Sequence, residues 1–160
     1  IAPHHLLYSS VSRGVRAGGV NASLLASIDA LAPSQQVSLE GLGVFDSESL
    51  VNYELGWRWR SESGRLRSDL ALFHMARRDQ QTKSALLIPR ADGSTAFIDY
   101  TNNASEGTNR GLEWQFAWAA TNTVTLSSAL GFLDAQFGRY TSAAGEDLAG
   151  REQPHAPRYS

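Results

Sequence analysis

Residues 51–60 read VNYELGWRWR, and this stretch alternates strictly between apolar side chains and polar or small ones. Successive residues of a β-strand point to opposite sides of a sheet, so one side of this segment is apolar and the other is polar. Residues 110–119, which read RGLEWQFAWA, repeat the alternation. The two segments therefore predict two β-strands with one apolar face each.

Three further segments carry the same alternation more weakly. They are Leu6 to Arg13, Leu66 to Arg78 and Thr123 to Phe137, and another strand is predicted to begin near Arg158. In Leu66 to Arg78 the alternation does not assign every side chain to one face of the strand, because Phe73 and Met75 make both faces apolar. We predict an all-β chain whose strands form an antiparallel up-and-down meander in sequence order.

The connections between these strands alternate in length. Ser61 to Arg65 and Ala120 to Asn122 are short polar turns, whereas Gly14 to Leu50, Asp79 to Ala96 and Gly138 to Ala156 are long. Transmembrane β-barrels have short turns at one rim and longer loops at the other. The pattern thus favours part of a transmembrane outer-membrane β-barrel over a soluble β-sandwich, the other class that alternation permits.

The tryptophans favour the barrel as well. All four lie towards the ends of apolar faces near short turns, where an interfacial aromatic girdle is found: Trp57, Trp59, Trp114 and Trp118. The uncharged stretch from Trp114 to Leu133 has the length of a membrane-spanning helix. Its polar residues and the turn at 120–122 divide it instead into two strands.

The composition and motifs give no sign of an enzyme active site, a metal site or a nucleic-acid-binding surface. The chain of 160 residues has a net charge of -2 and no cysteine, which argues against a nucleic-acid partner, a disulfide framework or a thiolate metal site. His4 and His5 are adjacent, so their rings point to opposite sides of an extended chain and do not share a metal. No Gly-x-Ser-x-Gly nucleophile elbow is present. We therefore assign no catalytic residue, metal or cofactor, and we expect no enzyme activity.

Four segments resemble TonB-dependent outer-membrane receptors, and they occur in that family's order. The most characteristic is Glu48 to Arg58, which is similar to the family's signature of an acidic residue followed by Asn-Tyr-Glu-aliphatic-Gly. The others are 7–21, Asn103-Ala104 with 110–113, and 148–152 with 154–159. The chain departs from the pattern at Val15 and Val20, where aromatic residues are usual, and at Ser47, where proline is common.

The resemblance implies that residues 1–160 are a fragment of a receptor β-barrel, with about five strands, the start of a sixth and no plug domain. It implies TonB-energised uptake of a scarce nutrient, a ferric siderophore first, with vitamin B12 or an oligosaccharide as other cargoes. The implied location is the bacterial cell outer membrane. The implied partners are membrane lipid, lipopolysaccharide and the TonB complex, the last reached through a plug domain absent from this chain. A passive porin or structural barrel is the alternative.

Two sets of side chains are candidates for function. The first set, expected to face the lumen, is Glu54, Arg58, Glu113 and Gln115. The second, expected in loops near the outer rim, is Arg16, Arg77, Arg78 and Arg90, and Arg13 and Lys83 belong to the same basic group. These cations suit either an anionic chelate or the phosphates of lipopolysaccharide.

Overall fold

The computed structural model describes residues 4–28, 39–89, 95–141 and 146–160. Most of these residues lie in strands. The elements are β1 (His5–Arg16), β2 (Gly19–Val20), α1 (Ala22–Ile28), a 3-10 helix (Glu40–Leu42), β3 (Val44–Phe45), β4 (Glu48–Arg60), β5 (Leu66–Pro89), β6 (Thr95–Ala119) and β7 (Thr125–Tyr140). Within the described ranges, no helix is long and apolar enough to cross a bilayer.

The principal sheet has five strands in the order β1-β4-β5-β6-β7, and every neighbouring pair is antiparallel. The predicted meander is confirmed, including the pairing of the first strand with the segment 51–60. The stretch from Trp114 to Leu133 is divided between β6 and β7, as expected from its central polar turn. Strands β2 and β3 form a separate small pair.

The prediction of a long loop from Asp79 to Ala96 is wrong. Strand β5 continues to Pro89 and β6 begins at Thr95, so most of this segment extends the β5–β6 hairpin. Arg77 and Arg78, which were expected in loops near the outer rim, lie inside this strand, and Arg16, expected there too, is the last residue of β1. The alternation is hidden because the register shifts between Arg77 and Gln81, where Asp79 adopts a positive φ of 55°. A bulge of this kind inserts an unpaired residue and breaks the two-residue period.

Cross-strand partners divide the sheet into two faces. The polar face carries Tyr8, Glu54, Asp69 and Glu113 among its members, and the apolar face carries Leu7, Leu55, Leu72, Leu112 and Leu130. The register also settles the facing of Phe73 and Met75, which pair with Glu54 and Asn52 and so lie on the polar face. Many side chains of the apolar face are exposed in the sheet; Leu7, Val11 and Leu55 are 60%, 69% and 48% exposed.

The buried cluster of the described residues lies at the long-loop end of the sheet. Leu24 of α1 is fully buried, and it packs with Leu39 against Ile88, Ile98 and Tyr100 of the extended β5–β6 hairpin. The connection between β1 and β4 therefore folds over this hairpin. The rest of the principal sheet is one layer thick. Among its described side chains only a few, such as that of Ala135, are buried, so this part has no core of its own.

The sixth strand expected near Arg158 is present as a short stretch of ladder hydrogen bonds on β7. Leu133 N–H donates to Arg158 C=O, and Gly131 and Ser160 exchange both of their backbone hydrogen bonds. Phe132 pairs with Tyr159, and their rings lie 5.6 Å apart. The free edge of β7 is thus already engaged by the last residues of the chain.

Candidate functional site: the polar face and its outer rim

Tyr8, Glu54 and Arg58 form a compact cluster on the polar face of β1 and β4. The Tyr8 hydroxyl donates a hydrogen bond of 2.8 Å to Glu54 Oε1, and the Arg58 guanidinium lies 5.3 Å from the centre of the Tyr8 ring. Tyr8 is opposite Gly56, and the ring occupies the space that a Cβ atom on Gly56 would fill. The glycine therefore lets the ring lie against the backbone, which holds the acid and the base at fixed positions.

The four residues expected to face the lumen lie on the same face. Glu54, Arg58, Glu113 and Gln115 all line a shallow depression of about 320 Å³. The Arg67–Asp69 ion pair, at 2.6 Å, lines it too, and Phe73 supplies part of its wall. The structure thus brings this set together into one polar surface of mixed charge.

A second polar cluster lies at the outer end of this face, where β1, β4 and β5 approach the long connections. Arg16 pairs with Glu48 in the ladder, and Arg77 Nε lies 3.3 Å from Glu48 Oε1. Glu48 Oε2 also accepts a 3.0 Å hydrogen bond from the Gln81 backbone N–H. One carboxylate therefore holds Arg77 in place and lies beside Arg16, and we call Arg16, Glu48 and Arg77 the rim cluster.

The basic residues expected near the rim do not form one group. Arg77 pairs with Leu50 and Gly107 on the polar face, whereas Arg78 pairs with Ser49 on the apolar face. Arg13 pairs with Val51 and also lies on the apolar face. Arg90 falls outside the described residues. Residue type and position in the chain did not separate these arginines, because adjacent residues of a strand point in opposite directions.

The apolar face ends in ion pairs that the sequence did not reveal. Arg110 Nη2 lies 2.7 Å from Asp134 Oδ2, and His74 is the next residue in the same row. Further out, Arg139 Nη2 lies 2.6 Å from Glu106 Oε1. The pairing requires the β6–β7 register, so spacing along the chain gives no sign of it.

Asparagine side chains hold the β1–β4 connection against β6. Asn21 is buried; its Nδ2 donates to Thr101 C=O at 2.7 Å and to Leu42 C=O at 2.6 Å, and its Oδ1 accepts from Thr101 N–H at 2.8 Å. Asn103 binds the backbone of Asp46 in a similar way. The connection also lies beside the rim cluster. Ala17 C=O and Asp46 C=O both accept hydrogen bonds from Gln81 Nε2, and the backbone of Gln81 binds Glu48.

The described part of the chain contains no group of three His, Cys, Asp or Glu residues placed to hold a metal ion. Several charged side chains instead form acid–base pairs on the two faces of the sheet. In each pair the carboxylate fixes the position of the guanidinium group through a charge-assisted hydrogen bond or ion pair.

The model of the family described as "TonB dependent receptor-like, beta-barrel" matches residues 1–160. Among solved structures, the ferric yersiniabactin uptake receptor FyuA from Yersinia pestis is similar, with a TM-score of 0.64 and 17% sequence identity. The similarity covers 99% of this chain and 20% of that receptor, so the chain spans about a fifth of its length. No curated protein sequence matches.

Proposed function

Because the chain belongs to the TonB-dependent receptor β-barrel family, we propose that it forms part of the wall of a nutrient receptor that captures a ferric siderophore. The match across all 160 residues supports the receptor part of this proposal, and the similarity to a ferric yersiniabactin uptake receptor supports the choice of cargo. The family consists of outer-membrane receptors of Gram-negative bacteria, which are transporters and not enzymes. Import is energised by the TonB complex, which acts on a plug domain of the receptor.

In this proposal the two faces of the sheet lie in different environments, one in lipid and the other in the lumen of the barrel. The apolar face, with Leu55, Leu112 and Trp114, contacts lipid, and the polar face, with Glu54 and Arg58, lines the lumen. Exposed apolar surface of this extent is unfavourable in water, and a bilayer removes the cost. The lumenal acids and bases lie where they hydrogen-bond the plug domain or a passing cargo.

The positive charge of the rim cluster supports an anionic cargo. Arg16 is exposed at the end of β1, and Glu48 holds Arg77 beside it. Cations at the mouth of a lumen attract an anionic chelate and raise its association rate. In this arrangement Arg16 and Arg77 contact the chelate, Glu48 is a positioning residue, and Arg78 faces away from the cargo.

Uptake by cells tests the proposed function. A strain that lacks the gene for this receptor is supplied with ⁵⁵Fe bound to a panel of siderophores, with vitamin B12 and an oligosaccharide as the other cargoes. We expect complementation by the intact gene to restore uptake of a ferric siderophore, and we expect removal of TonB to abolish it. Uptake of vitamin B12 or the oligosaccharide alone refutes the assigned cargo. Uptake that persists without TonB favours a passive porin instead.

A further inference from the structure

The polar face has an open cleft at its outer end. Its volume is about 570 Å³, within the range of roughly 300 to 1,000 Å³ that is usual for small-molecule sites. It is lined by Gln80, Thr82 and Lys83 of β5, by Phe137 and Tyr140 of β7, and by residues of the segment 148–154. Phe137 pairs with Gly107, which pairs in turn with Arg77. This cleft, which we call the outer cleft, therefore lies in the same row of the polar face as Arg77 of the rim cluster.

Backbone hydrogen bonds fix one wall of the outer cleft against β7. Phe137 N–H donates to Arg151 C=O at 2.9 Å, and Phe137 C=O accepts from Gly150 N–H at 2.8 Å. Leu148 N–H donates to Tyr140 C=O at 2.8 Å. Gly150 has a positive φ of 74°, a conformation that glycine adopts without strain. The cleft is thus built into the fold of the chain before any ligand enters it.

Two aromatic rings lie together in the outer cleft because of a bulge in β7. Phe137 and Tyr140 are three positions apart, which in a regular strand places side chains on opposite faces. The register shifts between Ser105 and Gly107, so the extra residue of β7 brings both rings to one face. Their centroids are 4.8 Å apart and their planes are inclined by 39°. Both side chains are only half-buried, so they leave ring surface for a third aromatic group.

The outer cleft also has an excess of positive charge. Lys83 and Arg151 line it and are exposed. Neither of them forms an ion pair with another residue that the structure describes. Glu152 lines the cleft too, but its carboxylate is paired with the guanidinium group of Arg158. Two cations are therefore left to attract an anionic group.

We propose that the outer cleft binds an aromatic ring that carries anionic oxygen, namely a phenolate or catecholate arm of the ferric chelate. The ring stacks against Phe137 and Tyr140, and Lys83 and Arg151 donate charge-assisted hydrogen bonds to its oxygens. Hydroxamate and citrate chelates have no aromatic ring to place there. The proposal rests on the proposed function, since it takes a ferric siderophore as the cargo and narrows it to the aryl-bearing class.

Chelate binding to the purified receptor that carries this chain tests the outer cleft, with quenching of tryptophan fluorescence as the signal. The probes are ferric enterobactin, ferric yersiniabactin, ferrichrome and ferric citrate; the first two carry aryl oxygens, and the last two have no ring. We expect an aryl chelate to bind most tightly. Tyr140→Leu weakens its binding about 2- to 10-fold, and K83Q/R151Q weakens it about tenfold. Phe132→Leu and Arg78→Gln are the matched controls on the apolar face, and they leave the affinity unchanged.

Tightest binding of ferrichrome or ferric citrate overturns the aryl assignment and leaves the proposed siderophore function standing. An aryl chelate whose affinity is unchanged by Tyr140→Leu or by K83Q/R151Q overturns the role of the outer cleft. If Tyr140→Leu fails to fold, as judged by heat-modifiable electrophoretic migration, K83Q/R151Q decides, because both of its side chains are exposed. Failure to bind any of the four chelates refutes the siderophore cargo itself, and the cleft with it.

Discussion

Single glycines on the polar face make room for side chains from neighbouring strands. The Tyr8 ring lies over Gly56, the Phe73 ring lies over Gly111 with its Cζ 2.6 Å from the position of an added Cβ, and Ser160 covers Gly131. The sequence alone places all three glycines on the polar face. Their partners follow only from the register, because each partner is on another strand or at the end of the chain.

Substitution of these glycines by alanine is expected to destabilise the barrel. Gly111→Ala should lower the free energy of unfolding by about 1 to 3 kcal/mol, because the added methyl group meets both the Phe73 ring and the Phe132 carbonyl oxygen. Gly56→Ala should cost less, since the Tyr8 side chain on β1 is able to rotate away. Urea unfolding of the reconstituted receptor measures both effects.

Gly14 provides the control for this prediction. It lies in β1 on the polar face, and no described atom comes within 4 Å of an added Cβ. Gly14→Ala should therefore leave the unfolding midpoint nearly unchanged. A loss equal to that of Gly111→Ala would show that the destabilisation comes from the strand backbone and not from the covering rings.

At the scale of elements, Asn21 joins the β1–β4 connection to β6. Its side-chain amide pairs with the backbone N–H and C=O of Thr101 much as a neighbouring strand would. Asn21→Ala leaves partly buried backbone groups of Thr101 and Leu42 without these partners, which costs about 1 to 3 kcal/mol. We expect hydrogen exchange of the Thr101 amide and of helix α1 to become at least tenfold faster.

Asn122→Ala is a suitable comparison, because Asn122 is exposed in the short turn and accepts from Arg65 at the opposite end of the sheet. It should leave exchange at Thr101 unchanged. If Asn21→Ala also leaves that exchange unchanged, the connection is held by the apolar contacts of Leu24 and Leu39, and the asparagine is dispensable.

The facing of the strands leads to a second prediction for the elements. Leu55 and Leu112 lie on the apolar face, so arginine at either position should destabilise the barrel by about 2 to 4 kcal/mol if the residue lies near the bilayer midplane. Glu113→Arg, one residue away on the polar face, should cost much less because its side chain stays in the polar lumen. Comparable losses for Leu112→Arg and Glu113→Arg would contradict the assignment of the faces.

At the scale of the whole molecule, the polar face connects the rim cluster to the cluster of Tyr8, Glu54 and Arg58 further along the same strands. Charge at the rim acts over a Debye length of about 10 Å in 0.1 M salt, whereas contacts deeper in the lumen are short-ranged. The rim is therefore where the attraction of an anionic cargo depends most on ionic strength.

Neutralising Arg16 and Arg77 together should weaken the binding of an anionic ferric chelate and flatten its dependence on salt. A ligand titration of the intact receptor at low and high ionic strength measures both quantities. Arg78→Gln, on the apolar face, should leave them as in the unsubstituted receptor. If the double variant keeps its affinity at both ionic strengths, the rim arginines have no part in recognition.

Local pattern determined much of the architecture. The two-residue period of 51–60 and 110–119 was sufficient for the strands, their faces and the meander, because facing in a strand depends only on the parity of position. The short turns at 61–65 and 120–122 were predicted for the same reason, since each joins two segments of clear alternation; in the structure the second turn extends to residue 124. The family resemblance likewise rests on short motifs that keep their order along the chain.

Tertiary structure alone decided the extent of the long hairpin and the grouping of the charges. The bulge at Asp79 shifts the period, so β5 and β6 continue through a segment that reads as a loop. Arg77 and Arg78 are neighbours in the chain but belong to different faces, and Arg110 meets Asp134 only through the β6–β7 register. Register depends on the hydrophobic faces of both strands and on the geometry of the turn that joins them. The alternation within one strand excludes a slip by one residue, but it does not choose among registers that differ by two residues.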